Sequence, residues 1–280
     1  MSRVYRKILA NKQDMTEWLV HFTRNRGKIH ARDTLAKILT EGVIRPGFAK
    51  RGSPRKHTIY GKCPAVCFTE QPLSAFLQCL DARNDDNAMA GYGILIHKHD
   101  VYVAGGLPVI YGLRNSAELE SEHPDYNREC RQLDPEYLNY EQQYRYVAFA
   151  PNRKPYPLDW THEREWRWPQ DAMPFIKDVF GLGAHWVGNG EYKARVHAFV
   201  RYDNDIPWLQ ETVSLAYTEG SIGLYSTGED NSDYQHRWND AIKKVRLVSL
   251  ETVEKQLRSG NMDYARVEAL PRESMVPLIL

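Results

Sequence analysis

Residues 159–168 read Asp-Trp-Thr-His-Glu-Arg-Glu-Trp-Arg-Trp, and through the second half of this stretch charged and large apolar side chains alternate. A period of two puts Glu163, Glu165 and Arg167 on one face of an extended chain and Trp166 and Trp168 on the other. The stretch therefore predicts an amphipathic strand over 163–168, with a polar face and two indoles that hold it against a core. Outward from it, the other strand-like runs are equally short: 65–69, 92–97, 107–111, 144–149, 196–202 and a last one beginning at Val245. Helical patterns are expected over 72–80 and from about Pro207, with a final one running to Leu257. Short apolar runs without a regular strand–helix alternation predict an α+β fold, a single mixed domain with a split, mainly antiparallel sheet and peripheral helices. That domain is expected to span 1–280, with 114–143 as an inserted connector and 203–280 as a C-terminal α/β extension.

With 42% hydrophobic and 26% charged residues over 280 positions, the composition excludes fibrous, disordered and disulfide-scaffold classes. A net charge of +1 predicts no bulk affinity for nucleic acid or membrane. The distribution is lopsided, however: residues 1–60 carry 14 basic and 4 acidic side chains, a balance of +10, and the remainder is −9. Such a block favours an anionic partner, either the phosphates of a nucleotide or a nucleic-acid backbone. Cys63, Cys67, Cys79 and Cys130 have no CxxC spacing and are read as reduced thiols. Met1 to Ala10 has no apolar leader core, and no run approaches bilayer length, so a cytoplasmic protein without membrane contact is expected.

Near the N-terminus, Asp33 is positioned to cap a helix from Thr34 to about Thr40, with Leu35, Ile38 and Leu39 on one face and Gly42 as its stop. A loop rich in Arg, Lys, Gly, Ser and Pro then runs to about Lys62. Its cations Arg45, Lys50, Arg51, Arg55 and Lys56 are the candidate phosphate or nucleic-acid contacts.

Three groups of residues could carry chemistry. His21 and Thr23, two apart on a strand, can hydrogen-bond ribose hydroxyls, although His21 could equally serve a neighbouring backbone group. Glu163 and Glu165 can share a cleft, one stabilising an oxocarbenium-like centre while the other orients or deprotonates a nucleophile; the plainer alternative is a charged strand face paired with Arg167. In Cys67-Phe68-Thr69-Glu70, Thr69 or Glu70 could face a ligand and Phe68 could pack on an aromatic ring. His97 and His99 lack a third ligand nearby, so no metal site is expected.

The order His21-x-Thr23, a helix ending at Gly42, the strand Cys67-Phe68-Thr69-Glu70 and a late strand with Glu163-x-Glu165 resembles the ADP-ribosyltransferase superfamily. Within it the pattern is most similar to DarT-like toxins and AbiG-type bacterial abortive-infection proteins. The resemblance implies a strongly bent, split sheet that clamps NAD as a substrate. It implies His21 and Thr23 as NAD contacts, Phe68 or Thr69 as the middle position, Glu165 as the catalytic carboxylate and Glu163 as its auxiliary. It also implies an anti-phage or toxin role, ADP-ribose transfer to a nucleic-acid or protein acceptor, and a cognate toxin or antitoxin protein as partner. A non-catalytic nucleotide- or nucleic-acid-binding module, acting as antitoxin or sensor, is the alternative. A nuclease or phosphodiesterase using His21, His97 or His99 is a weaker third.

Overall fold

The computed structural model describes residues 15–48, 50–51, 56–83, 90–113, 118–119, 131–155, 157–172, 179–183, 185–187, 190–192, 195–223 and 232–280. The strands that matter for function are, in chain order, β1 (Trp18–Phe22), β2 (Ala65–Thr69), β3 (Gly93–His97), β4 (Leu107–Pro108) and β5 (Ile110–Leu113). They continue as β6 (Tyr146–Phe149), β7 (Glu165–Pro169), β8 (Val196–Val200), β9 (Arg246–Ser249) and β10 (Met275–Pro277). Among the described residues the α-helices are α1 (Ala31–Glu41), α2 (Leu73–Arg83), α3 (Lys98–Val103), α4 (Asp205–Thr218), α5 (Ser232–Ile242) and α6 (Leu250–Arg258). The chain is thus mixed α/β, as the short runs predict, and divides into two compact units: Met1–Ile44, Glu70–Val103 and Gly181–Leu280 form one, and Arg45–Thr69 with Ala104–Phe180 form the other. No helix among the described residues is long and apolar enough to cross a membrane.

In the first unit the strands lie in the order β10-β9-β8-β3-β1, and every neighbouring pair is antiparallel except β8 with β9. Parallel neighbours need a long crossover, and α4 and α5 supply it. Trp18 and Val20 of β1, Leu95 of β3, Phe199 of β8 and Val248 of β9 pack with Leu73, Phe76 and Leu77 of α2 and with Leu250 and Val253 of α6 in one apolar core. The C-terminal residues therefore belong to this sheet and core.

The first helix begins earlier than its sequence signals indicate. The Asn25 side chain accepts the Ala31 backbone N–H at 2.7 Å, so the helix starts at Ala31 and Asp33 lies in its first turn instead of capping it. Its stop is as expected. Gly42 takes φ 72°, and a β-carbon there would meet the Trp238 indole at 2.6 Å, so both backbone and packing demand glycine. That indole is fully buried and donates to the Leu39 carbonyl at 2.8 Å.

In the second unit β7 lies between β2 and β4, antiparallel to both, while β5 and β6 form a parallel pair. One aromatic layer contains Phe68, Trp168 and Phe180, with both Phe68 and Trp168 edge-on to Phe180 at 5.4 Å. Another apolar group gathers Ile59, Ala65 and Tyr144 with Phe48, Cys63 and Cys67. Part of the expected connector is well packed: fully buried Gln143 donates to the Leu133 carbonyl at 2.6 Å and accepts the Leu133 N–H at 3.1 Å. The expected basic loop also contains structure, because Lys50–Arg51 pairs antiparallel with Lys56–His57.

Candidate functional site

The polar face of β7 is built from its register with β2. Antiparallel partners point the same way, so Glu165 lies beside Thr69 and Arg167 beside Cys67, while Trp166 faces with Phe68 and Trp168 with Val66. Trp168 donates its indole N–H to the Ala104 carbonyl at 2.8 Å, which anchors the apolar face. Phe68 is 2% exposed in that aromatic layer, on the side away from Glu165. Of the two residues considered for the middle position, Thr69 is therefore the one that shares a face with Glu165.

Arg167 is 3% exposed and its guanidinium forks onto Glu165, with Nε donating to Oε1 at 2.8 Å and Nη2 to Oε2 at 3.1 Å. Its Nη1 donates to the carbonyls of Tyr144 and Tyr146 at 2.6 and 3.1 Å. Burial by itself would lower the Arg167 pKa, but the Glu165 carboxylate and then Cys67 outweigh it and hold the group above its ordinary range. Arg167 thus fixes both oxygens of Glu165 in one orientation.

The chain entering β7 differs from the expected continuous strand. Asp159 accepts the Thr161 N–H at 3.0 Å and its hydroxyl at 2.6 Å, which starts a single 3-10 turn, Thr161–Glu163. Arg164 then adopts a left-handed conformation, φ 44° and ψ 51°, and β7 begins at Glu165. Arg164 is the one described non-glycine residue with positive φ. Because one left-handed residue interrupts the two-residue repeat, Glu163 lies in the turn and does not share a strand face with Glu165 and Arg167.

Two hydroxyls hold this turn. Thr69 donates its hydroxyl to the Glu163 carbonyl. Tyr111, in β5, donates to the Trp160 carbonyl at 3.1 Å. Burial first, and the Glu165 carboxylate second, push the Tyr111 phenol up to about 12; Glu163 adds to this, while the Glu165 backbone N–H on the phenol and the Arg167 charge oppose it. Tyr111 is a site residue that reading the sequence missed. In sequence it is one apolar member of a short strand, and nothing local marks its hydroxyl.

The remaining sequence candidates are placed as follows. His21 is half-buried and, by alternation along β1, faces away from the side that carries Trp18, Val20 and Phe22. Thr23 lies just past β1, 3% exposed, with its hydroxyl 2.7 Å from the Ala31 carbonyl and 3.1 Å from that of Tyr92, so it joins the end of β1 to the start of α1. Both belong to the first unit, whereas Thr69, Glu163 and Glu165 belong to the second. Glu70 is buried in the first unit, with Lys98 Nζ 2.5 Å from its Oε1. Arg45 is exposed, Lys50, Arg51 and Lys56 lie in the short antiparallel pair, and Arg55 falls outside the described residues. His97 is buried; its Nδ1 accepts the His99 N–H at 3.3 Å and lies 2.9 Å from Arg195 Nη2, which assigns the ring proton to Nε2, facing Glu17 Oε2 at 3.3 Å.

Comparison of the chain with protein-family models, curated proteins and solved structures finds no match in any of the three.

Proposed function

We propose that this chain cleaves the nicotinamide–ribose bond of NAD and transfers ADP-ribose to an acceptor, as the likeness of its sequence to bacterial ADP-ribosyltransferases of toxin and anti-phage systems implies. The observation that carries the reading is Glu165: a carboxylate on the polar face of β7, oriented through both oxygens by a buried arginine and backed by an aromatic layer. In the reaction the ribose C1′–N bond breaks, its electron pair returns to the nicotinamide ring, and positive charge develops on the ribose. A preorganised carboxylate beside that charge stabilises it without reorganising at the moment of reaction. The acceptor's lone pair then forms the new bond to C1′ and its proton leaves, a step for which Glu163, in the adjoining turn, is the nearby base. Thr69 takes the middle position. The bent and split sheet, and a nucleic-acid acceptor met by Arg45, Lys50, Arg51, Arg55 and Lys56, rest on the likeness and on the charge distribution.

A second reading, a non-catalytic nucleotide- or nucleic-acid-binding module, is favoured by one specific observation: both Glu165 oxygens already accept from Arg167. Release of nicotinamide from NAD by the pure protein separates the two. Glu165→Gln keeps the shape of the side chain and removes its charge, and the loss of one such electrostatic contact slows turnover by about 10² to 10³ fold. Absence of release by the wild-type protein, or unchanged release by Glu165→Gln, would return Glu165 to the role of a salt-bridge partner on a binding surface.

A further inference from the structure

Taking Glu165 as the working carboxylate of the NAD reading, we infer that the Tyr111 hydroxyl is a positioning group that fixes the start of the turn leading into β7 against the chain segment that holds its end. The phenol donates to the Trp160 carbonyl at 3.1 Å, on the near side of the turn, and the Glu165 carboxylate on the far side is close enough to help raise its pKa. Between these points the chain makes one 3-10 turn and passes through left-handed Arg164. A non-glycine residue adopts that conformation at a cost, and it persists only where its surroundings over-determine it. The structure supplies three restraints: Asp159 on Thr161, the Thr69 hydroxyl on the Glu163 carbonyl, and the Tyr111 hydroxyl on the Trp160 carbonyl. Among them Tyr111 alone acts on Trp160, where the turn begins. The strand that carries it is fixed by pairing with β6, and β4, just before it in the chain, pairs with β7. Val109 continues this by donating its N–H to the Glu165 carbonyl at 3.0 Å. Tyr111 therefore sets where Glu165 starts its strand and how far it stands from Glu163. It acts through the backbone, with no proton transfer.

Tyr111→Phe removes the hydroxyl and leaves the ring. Hydrogen exchange, followed by mass spectrometry on the protein without NAD, should show the amides of 163–165 exchanging roughly five- to tenfold faster while those of β3 and β8 are unchanged. Because displacement of a reacting group by about 1 Å can cost roughly 10²-fold, nicotinamide release should lose kcat by up to that factor with KM little altered. The shape of the pH–rate profile should be preserved, since no titrating group of the reaction is removed. Thr69→Val, which deletes the second tie, should likewise speed exchange at 163–165, and Thr69→Ser should return it to the wild-type rate. Exchange at 163–165 identical to wild type in Tyr111→Phe would overturn the inference. So would a Tyr111→Phe profile that loses a pH limb, which would make the phenol a proton donor instead. If the wild-type protein releases no nicotinamide, the NAD reading fails while the exchange measurement still decides whether Tyr111 ties the turn.

Discussion

Replacing Arg167 by Met tests the centre of the site through stability alone. The side chain donates to both oxygens of the Glu165 carboxylate and to the carbonyls of Tyr144 and Tyr146. The exposed fractions of the paired side chains are 4% for Arg167 and 14% for Glu165, so water cannot fully replace the missing donor. Removing one partner of such a pair leaves a carboxylate and two carbonyls under-satisfied, at a cost of about 3 to 5 kcal/mol. A protein of ordinary stability, about 5 to 15 kcal/mol, remains folded but is measurably weakened. Glu165→Gln leaves the buried guanidinium without its counter-charge and turns an amide NH2 toward one of its donors, although the two carbonyl contacts persist; it should cost about 3 kcal/mol. The double variant, Arg167→Met with Glu165→Gln, no longer buries an unpaired charge. Its cost should fall short of the sum of the single costs by at least about 1 kcal/mol. Urea denaturation monitored by tryptophan fluorescence measures all three, and the indoles at 166 and 168 report from the same strand. An Arg167→Met variant within about 0.5 kcal/mol of wild type, or strictly additive costs, would mean that the pair behaves as a solvated surface bridge and holds Glu165 in no fixed orientation.

Two further outcomes follow from the first unit. His197 stacks on Trp18 at 4.8 Å with its Nδ1 buried and without a hydrogen-bond partner, and burial, followed by the charge of Arg246, lowers its pKa from 6.5 to about 4. Between these values the unfolded chain binds the proton and the folded chain does not, so stability is complete above about pH 6.5 and declines as the pH falls toward 4, by up to about 3 kcal/mol. His197→Phe should flatten that limb of a stability–pH curve; an unaltered slope refutes the assignment. Gly42→Ala should destabilise by roughly 2 to 5 kcal/mol in a thermal or urea melt, the sum of left-handed strain and collision with the Trp238 ring. A neutral effect would show that α1 ends without that constraint.

Much of this protein is written locally. The runs at 65–69, 93–97 and 196–200 form strands because their apolar content and length suit nothing else, and Gly42 ends its helix because glycine alone enters the left-handed region freely. The division of β7 into a charged face and an indole face is equally a property of the chain, since side-chain direction in a strand follows sequence parity. What tertiary structure decided are the features that depend on distant partners. Glu163 leaves the strand face because Arg164 turns left-handed, and a non-glycine residue gives no local sign of doing so; hydroxyls from Thr69 and Tyr111 hold the turn. That Thr69, and not Phe68, shares a face with Glu165 required the register of β2 against β7, and the start of α1 required an Asn25 side chain six residues away. Sequence pattern thus determined which residues are extended, helical or amphipathic, because those preferences act over a few bonds. Register and long-range hydrogen bonding decided which polar groups meet, because only a folded chain brings Thr69 to Glu163 and Tyr111 to Trp160.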